Sequence, residues 1–566
     1  MSVKPIAHRD VPAHQLAEVD PVLARLLASR GVKDASQADL SLRQLSPIGA
    51  LGGLDAAVRL LMAHRTGRVL IVGDFDADGA TSTALVTRCL AKFGFPAVDS
   101  LVPNRFDFGY GLTAPLVEIA KASEPSLIVT VDNGISSVKG VRAAREAGID
   151  VLITDHHLPP EQLPDANVIV NPNMPDDAYP SKSLAGVGVA FCVMVALARE
   201  LAKEQPDLAK VPANYLDLVA LGTVADVVPL DHNNRVLVQA GLERIRARRC
   251  VPGILALLEA AGRDPAEIVA TDLGFAVAPR LNAAGRLTDM SVGIRCLSTD
   301  SPEAARETAA ALDGINRERR HLQNEMQKDA DASIETLRID NGEMPACVCL
   351  YESHWHQGIV GLIASRIKDT VNRPVFAFAK ESDGLLKGSG RSIRGVHLRD
   401  LLAEVSHRLP GAITKFGGHA MAAGLTLRKD ALVAFRGAVV DAMRRLYPAA
   451  DFNPAIVCDG ELPASHLSLQ FAEKLRAWMP WGQQFPEPIF VGRFTAQTAR
   501  LVGESHVKFV FDHDGQPIDG IAFGQRRPTL PAAGQRVEVC YRLDVNVWRQ
   551  RRMLQLMIEQ WQVVDD

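Results

Sequence analysis

No C-x-x-C pair occurs among the eight cysteines of this chain. The only close pair, Cys347 and Cys349, lies in an apolar, strand-like run. The thiols therefore read as reduced core residues of a cytoplasmic protein, not as disulfides or a zinc site. An excess of basic charge is also missing. The net charge is −4, so contact with a polyanion must rely on local patches or on metals. The N-terminal run Met1-Ser2-Val3-Lys4-Pro5 lacks an apolar signal core. The most apolar stretch, Gly186 to Ala198, is too short to span a bilayer and reads as a buried helix. There is no clear internal repeat and no low-complexity tract. What remains is a cytoplasmic protein of 566 residues with no membrane segment. At about 150 residues per domain it should form three or four domains.

The pattern from about residue 65 to 175 is of short apolar runs alternating with helical segments. The runs are Val69–Val72, Leu127–Val131, Val151–Ile153 and Val168–Val170, with helices expected over Ala80–Phe93 and Val138–Ala147. Continuous apolar strands alternating with helices indicate an α/β domain with a parallel sheet covered on both faces. Ligands of such sheets bind beyond the carboxyl ends of the strands. Here those ends carry Asp74/Asp76/Asp78, Asp132-Asn133, Asp155-His156-His157 and Asn171-Pro172-Asn173. These groups are therefore expected to converge. Residues 181–300 look mostly helical, and Tyr215–Ala225 delivers Asp226. Pro302–Arg338 has the composition of one helix of about 50 Å that bridges two domains. A second, smaller α/β segment follows, with strands at Ala346–Tyr351 and Val375–Ala379 and a helix at Val360–Ile367. From about 455, short alternating segments separated by turns read as a small β-barrel or sandwich.

Three carboxylates on alternate residues at the end of a buried strand repel one another. They are costly to desolvate unless positive charge sits between them. A hard divalent cation is the simplest answer. Each motif alone is ordinary. An isolated D-x-D is a solvated turn, a His pair is a cap or core feature, Asp132-Asn133-Gly134 is a common turn, and Asp226 is a helix-end residue. Four such motifs, three of them on consecutive parallel strands, point to a metal site. Asp and His without Cys suit Mn²⁺ or Mg²⁺. The number of ligands suggests two ions sharing a carboxylate, an arrangement that serves phosphoryl transfer.

The ordered set D-x-D-x-D-G, V-D-N-G, D-H-H and A-D resembles the DHH phosphoesterase superfamily. The later G-S-x-R-S and F-G-G-H-x-x-A-A-G resemble its DHH-associated domain. Three further features resemble the superfamily's single-stranded-DNA-specific 5′→3′ exonucleases: Pro103–Gly111, Arg280-Leu281-Asn282-Ala283-Ala284-Gly285-Arg286, and the C-terminal β-segment. The likeness runs through nearly the whole chain, only the first 40 or so residues contributing little. It implies an N-terminal segment (1–45), a catalytic domain (46–300), a connecting helix (301–340), a DHH-associated substrate-binding domain (341–452) and an OB-fold-like DNA-binding domain (453–566).

The resemblance also implies roles. Asp76, Asp78, Asp132, His156 and Asp226 fall on metal-ligand positions, with Asp132 as the bridge and Asp74 as an acidic neighbour. His157 falls where the scissile phosphate is contacted, and Asp155 orients the histidines. Arg105, Arg280 and Arg391 are suited to bidentate phosphate contacts, against the alternative of surface salt bridges. Ser389 and the amides of Gly417 and Gly418 are read as an anion-binding nest, against the alternative of a tight turn. Tyr110 is a candidate for stacking on a base. Asn282 and His419 complete the substrate-binding positions. Trp481, Phe485 and Trp548 are stacking residues or core. Arg549, Arg551 and Arg552 track a phosphate backbone or form a solvated face. The implied activity is Mn²⁺- or Mg²⁺-dependent 5′→3′ hydrolysis of single-stranded DNA to 5′-mononucleotides, in DNA repair and recombination. The implied partners are single-stranded DNA, a single-strand-binding protein and a helicase, with the chain a monomer. Two rivals stand beside this: a DHH oligonucleotide phosphodiesterase or pyrophosphatase, and a non-catalytic single-strand-binding scaffold.

Overall fold

The structure is a computed structural model that describes residues 3–104, 109–341, 344–503, 505–513, 515–525, 529–549 and 551–564. It divides into two compact units, residues 1–313 with 457–566, and residues 314–456. Arg105 and the side chain of Trp548 lie outside the described residues.

The first unit is built on five parallel strands: β1 (Arg68–Val72), β2 (Ala97–Leu101), β3 (Leu127–Val131), β4 (Asp150–Thr154) and β5 (Val168–Val170). Their order in the sheet is β2-β1-β3-β4-β5. Strands β1, β3 and β4 carry continuous apolar runs (Val69–Val72, Leu127–Val129 and Val151–Ile153) because both faces are covered. Val69 and Ile71 of β1 pack with helix α1 (Ala77–Lys92). Leu70 and Val72 pack on the other face with α2 (Ala114–Ala120) and α3 (Val138–Glu146). β2 lacks an apolar signature because it is an edge strand whose middle is exposed. The adjacent strands β1 and β3 thus send their following helices to opposite faces. A crevice opens between their carboxyl ends, where open α/β sheets bind ligands. Helices α4 (Gly186–Leu201), α5 (Leu216–Ala225) and α6 (Ala278–Leu287) pack in the same core as α1.

The connecting helix α7 runs from Pro302 to Asn341 and is 40 residues long, or about 60 Å at the α-helical rise. The unit boundary falls within it. In the second unit the strands are β6 (Val348–Tyr351), β7 (Val375–Ser382), β8 (Leu385–Arg391), β9 (Ile413–Gly418) and β10 (Ala422–Arg428). They form the order β9-β10-β8-β7-β6, with only β6 and β7 parallel. The helix after β6, Val360–Val371, runs four residues beyond the apolar run that marked it. Glycines fall inside β8 for a packing reason. A Cβ on Gly388 or Gly390 would lie 2.5 or 2.6 Å from the rings of Phe378 and Phe376.

The C-terminal strands β11 (Phe490–Val502), β12 (His506–His513), β13 (Gln516–Ala522), β14 (Arg536–Trp548) and β15 (Arg551–Val563) close a barrel in the order β11-β12-β13-β15-β14. Only β13 and β15 pair in parallel. This barrel belongs to the first unit, with the parallel sheet. The N-terminal segment belongs there too. Arg30 grips Asp459 through two hydrogen bonds of 2.8 and 2.9 Å, with both side chains at most 1% exposed. Trp481 and Phe485 are stacked at 5.3 Å, buried, and covered by Arg30 and Arg235. They are core residues, not platforms for bases. Arg552 bonds Glu267 and Glu473 and so ties the barrel to the helical part of its own unit. Arg549 and Arg551 are exposed.

Candidate metal centre

The acidic and histidine motifs that follow β1, β3 and β4 converge at the β1/β3 switch point. Asp76 is the N-cap of α1, where its Oδ1 accepts a hydrogen bond from the Gly79 amide (3.0 Å). Asp78 lies in the first turn of α1 and is 1% exposed. Its two oxygens accept from the amides of Gly186 (2.7 Å) and Val187 (2.9 Å) at the start of α4. A helix N-terminus with its unpaired N–H groups favours such a carboxylate. Gly186 has no room for a side chain, because a Cβ there would lie 2.5 Å from the Asp132 Cβ.

Asp132 follows β3 in a left-handed conformation with φ +61°. Asn133 locks that turn by donating to the carbonyls of Val72 (3.0 Å) and Val131 (2.9 Å), sewing the end of β1 to the end of β3. His156 and His157 follow β4, and Asn173 and Asn171 donate to their carbonyls (2.6 and 2.9 Å). Asp226 caps α5.

Three overlapping sets bring one ligand atom from each member within 4.8 Å of the others: Asp74, Asp76 and Asp132; Asp78, His156 and Asp226; and Asp132, His156 and His157. Asp132 and His156 each belong to two sets. The buried atoms Asp132 Oδ1 and His156 Nε2 face each other at 3.1 Å. Neither has a hydrogen-bond partner among the described residues. His156 Nε2 is also 3.5 Å from Asp226 Oδ2. Buried polar atoms of native proteins are almost always paired. Two orphans aimed at one point, ringed by carboxylates, are what a cation would satisfy. The donors are hard oxygens and an imidazole, with no thiolate, which fits Mn²⁺ or Mg²⁺.

The electrostatics carry the same signature. Burial, then the charges of Asp78, Asp76, Asp226 and Asp74, push the Asp132 carboxyl well above its usual range. Burial, then Asp226 and Asp76, do the same to Asp78. Asp226 is raised to about 7 by burial and then by Asp76. His156 is lowered to about 4 by burial and by its cationic neighbour His157, so it is a neutral imidazole ready to ligate. Burial works against the charge on His157. Even so, the hydrogen bond and charge of Asp155, with Asp226 and Asp74, raise it to about 9. Asp155 accepts from His157 Nδ1 at 2.7 Å and from the amides of His156, His157 and Ile135. His157 is therefore a fixed cation at the rim of the cluster. The Tyr110 ring is half exposed, while its hydroxyl reaches the Asp132 carbonyl (3.3 Å) and the His157 ring (3.4 Å).

The remaining expected contacts fall out differently. Arg280 is 7% exposed. Its guanidinium is bonded to Asp313 (2.9 Å) and to the carbonyls of Ala276 and Ala260. It is a buried anchor, not a surface group presented to phosphate. Asn282 accepts from the Ala77 amide (2.8 Å). In the second unit, Arg391 donates to the Ser389 hydroxyl (2.9 Å), and a Cβ on Gly361 would lie 3.0 Å from both side chains. They therefore meet at the first turn of the helix Val360–Val371. Gly417 and Gly418 are paired in the β9–β10 ladder, opposite Gly424 and Ala423. They lie in strand pairing, with Gly418 at φ +138° pressed against the backbone of Ala422 and Ala423, and not in the anion-binding nest expected of them. His419 extends that ladder by donating to Ala422 (2.8 Å). Sequence reasoning missed the Gly186 and Val187 amides. The signal was present as glycines at the first and third positions of an otherwise apolar helix, Gly186-Val187-Gly188.

Comparison with known proteins agrees with this geometry. The DHH family, N-terminal domain matches residues 68–223, the DHHA1 domain residues 344–445 and the RecJ OB domain residues 458–560. The chain is 48% identical over 564 residues to the single-stranded-DNA-specific exonuclease RecJ of Salmonella typhimurium, covering 97% of each chain. It superposes on RecJ of Thermus thermophilus in complex with Mn²⁺ with a TM-score of 0.81 and 29% identity, over 100% of this chain and 81% of that one. Against the Mg²⁺ complex the TM-score is 0.74, with 27% identity over 97% and 76% of the two chains.

Proposed function

The chain belongs to the RecJ family of DHH phosphoesterases, and from that premise we propose that it is a metal-dependent exonuclease that hydrolyses single-stranded DNA from the 5′ end to 5′-mononucleotides. One observation carries this reading. A cluster of carboxylates and imidazoles with two orphaned buried atoms shares a compact unit with a closed, OB-ordered β-barrel. OB-folds hold single strands by charge and stacking.

Asp76, Asp78, Asp132, His156 and Asp226 would hold two ions, Asp132 shared between them and Asp74 adjoining. When bound, Mn²⁺ or Mg²⁺ supplies the charge that acidifies the attacking water and offsets the phosphate oxygens. The chain's own groups do the rest. Asp155 keeps His157 cationic and correctly turned, so that the imidazolium meets a phosphate oxygen. Tyr110 offers a half-exposed ring beside it for the terminal base. His156, held neutral by burial and by His157, would ligate without first losing a proton. Metal-borne charge also explains how a chain of net charge −4 handles a polyanion. DNA repair and recombination are the setting, the cytoplasm the compartment, and the working form a monomer. A single-strand-binding protein and a helicase are the expected protein partners. No single helix among the described residues is long and apolar enough to cross a membrane.

The test is digestion of end-labelled strands of several lengths, single and duplex, with and without a 5′ phosphate, in Mn²⁺ or Mg²⁺. The expected result is release of 5′-mononucleotides from the 5′ end of long single strands and resistance of blunt duplex. Equal turnover of dinucleotides and long strands would instead assign an oligonucleotide phosphodiesterase. Tight strand binding with no cleavage in either metal would assign a scaffold.

A further inference from the structure

We propose that Asn282, on α6, is a positioning residue that aims the Asp76 carboxylate into the metal centre; the inference rests on the metal-dependent reading above. Asp76 sits between two backbone groups, and α6 touches both. Asn282 Oδ1 accepts the Ala77 amide at 2.8 Å. One turn further on, Gly285 lies so close beneath the loop that a Cβ there would be 1.7 Å from the Phe75 carbonyl oxygen. The loop carrying the metal-site carboxylates is thus pinned immediately before and immediately after Asp76.

The first N–H groups of a helix have no partner within the helix and must find one elsewhere. Ala77 is the first residue of α1, and Asp76 is its cap. Asp76 Oδ1 is already used by the Gly79 amide (3.0 Å). Because Asn282 satisfies Ala77, the cap needs no second bond from Asp76, and its other oxygen is left for a cation. The helix that carries Asn282 is itself anchored, since Arg280 is buried and bonded to Asp313 at 2.9 Å. The run Arg280-Leu281-Asn282-Ala283-Ala284-Gly285 therefore acts as one cradle: an anchor, an acceptor and a close approach. On this account Asn282 acts through the backbone of the metal loop and does not touch DNA.

The experiment uses the full-length protein stripped of metal, titrated with Mn²⁺ by calorimetry. Asn282→Leu keeps the size and removes the acceptor, while Asn282→Asp keeps the acceptor. The expected result is Mn²⁺ binding weakened about 10–100-fold in N282L, the range for loss of a residue that orients metal ligands. The Mn²⁺ concentration for half-maximal cleavage should rise in step. Affinity for a labelled single strand in EDTA should stay unchanged, and N282D should bind Mn²⁺ within about threefold of wild type. Wild-type Mn²⁺ affinity in N282L overturns the proposal. So does a loss of strand affinity in EDTA with Mn²⁺ binding intact, which would make Asn282 a DNA contact. If N282L lacks the wild-type circular dichroism, N282D decides alone: retained Mn²⁺ binding supports the proposal and its loss overturns it. A wild type that neither binds Mn²⁺ nor cuts would instead sink the exonuclease reading, a result separable from any failure of the variants.

Discussion

Replacing Asp132 by Asn should stabilise the metal-free protein and remove most of the stabilisation that Mn²⁺ adds, leaving the metal-loaded proteins about level. Asn is the right choice because residue 132 sits at φ +61°, a conformation Asn tolerates and Ala does not. Asp132 is 1% exposed and shares its surroundings with Asp74, Asp76, Asp78 and Asp226. Two charges about 5 Å apart at an effective dielectric near 20 repel by about 3 kcal/mol. The raised carboxyls of this cluster are partly neutralised, so removing one should relieve about 2–3 kcal/mol in all. The metal-free variant should therefore melt several degrees above wild type, at roughly 2 °C per kcal/mol for a unit of this size. Wild type should gain about 2.7 kcal/mol from Mn²⁺ at a hundred times its dissociation constant. A variant whose affinity has fallen about a hundredfold keeps only about 0.4 kcal/mol of that at the same concentration. Scanning calorimetry in EDTA and in Mn²⁺ reads both arms, and cleavage should fall by about two to three orders of magnitude. A variant that melts lower than wild type in EDTA, yet keeps the full Mn²⁺ shift, would make Asp132 a structural residue and refute the argument.

Three further outcomes follow from buried or strained groups. Asp217 is fully buried and raised to about 6 by burial, against hydrogen bonds and Arg244. Its stabilising protonated form is complete below the unfolded carboxylate value and is lost as pH rises through about 6. Asp217→Asn should therefore gain stability relative to wild type between about pH 4 and pH 7, by up to about 3 kcal/mol; urea melts whose difference is flat over that window would contradict it. Val227, next to Asp226, is 62% exposed at φ +63°, where a β-branched side chain costs about 1–2 kcal/mol. Val227→Asn should melt higher with Mn²⁺ binding retained, and a lower melting point would show that the strain is illusory. Arg30→Met leaves Asp459, 1% exposed, with the more exposed Arg9 at 3.2 Å as its remaining charged partner and should cost about 2 kcal/mol or more in a guanidinium melt; a loss below about 1 kcal/mol would place that pair among ordinary surface bridges.

The reach of the sequence can be traced residue by residue. Strands β1, β3, β4 and β5 were legible because a sheet covered on both faces demands unbroken apolar runs, and no neighbour is needed to see them. β2 was not, since an edge strand with an exposed middle carries no such run. The polar groups at the strand ends were legible as a set, because parallel strands all deliver their carboxyl ends to one side. The long helix was also legible, but its final residues, to Asn341, were not. The roles of single polar side chains were less so. Arg280 looks like any phosphate-binding arginine until Asp313 and two carbonyls are found around it. Trp481 and Phe485 look like base platforms until each is found stacked on the other. The Gly417-Gly418 pair reads as a nest until its ladder partners across β10 are known.

By itself, then, the sequence determined the α/β catalytic sheet, the barrel that follows, and the identity of the carboxylates and imidazoles that gather at the sheet's end. These depend on periodicity and on donor chemistry, which are local. The tertiary structure alone decided which atoms are left unpaired at the centre of that gathering, which arginines are already committed, and which remote helix pins the metal loop. Those depend on which surfaces come within about 3 Å of each other, and chain order does not encode that until the core has closed.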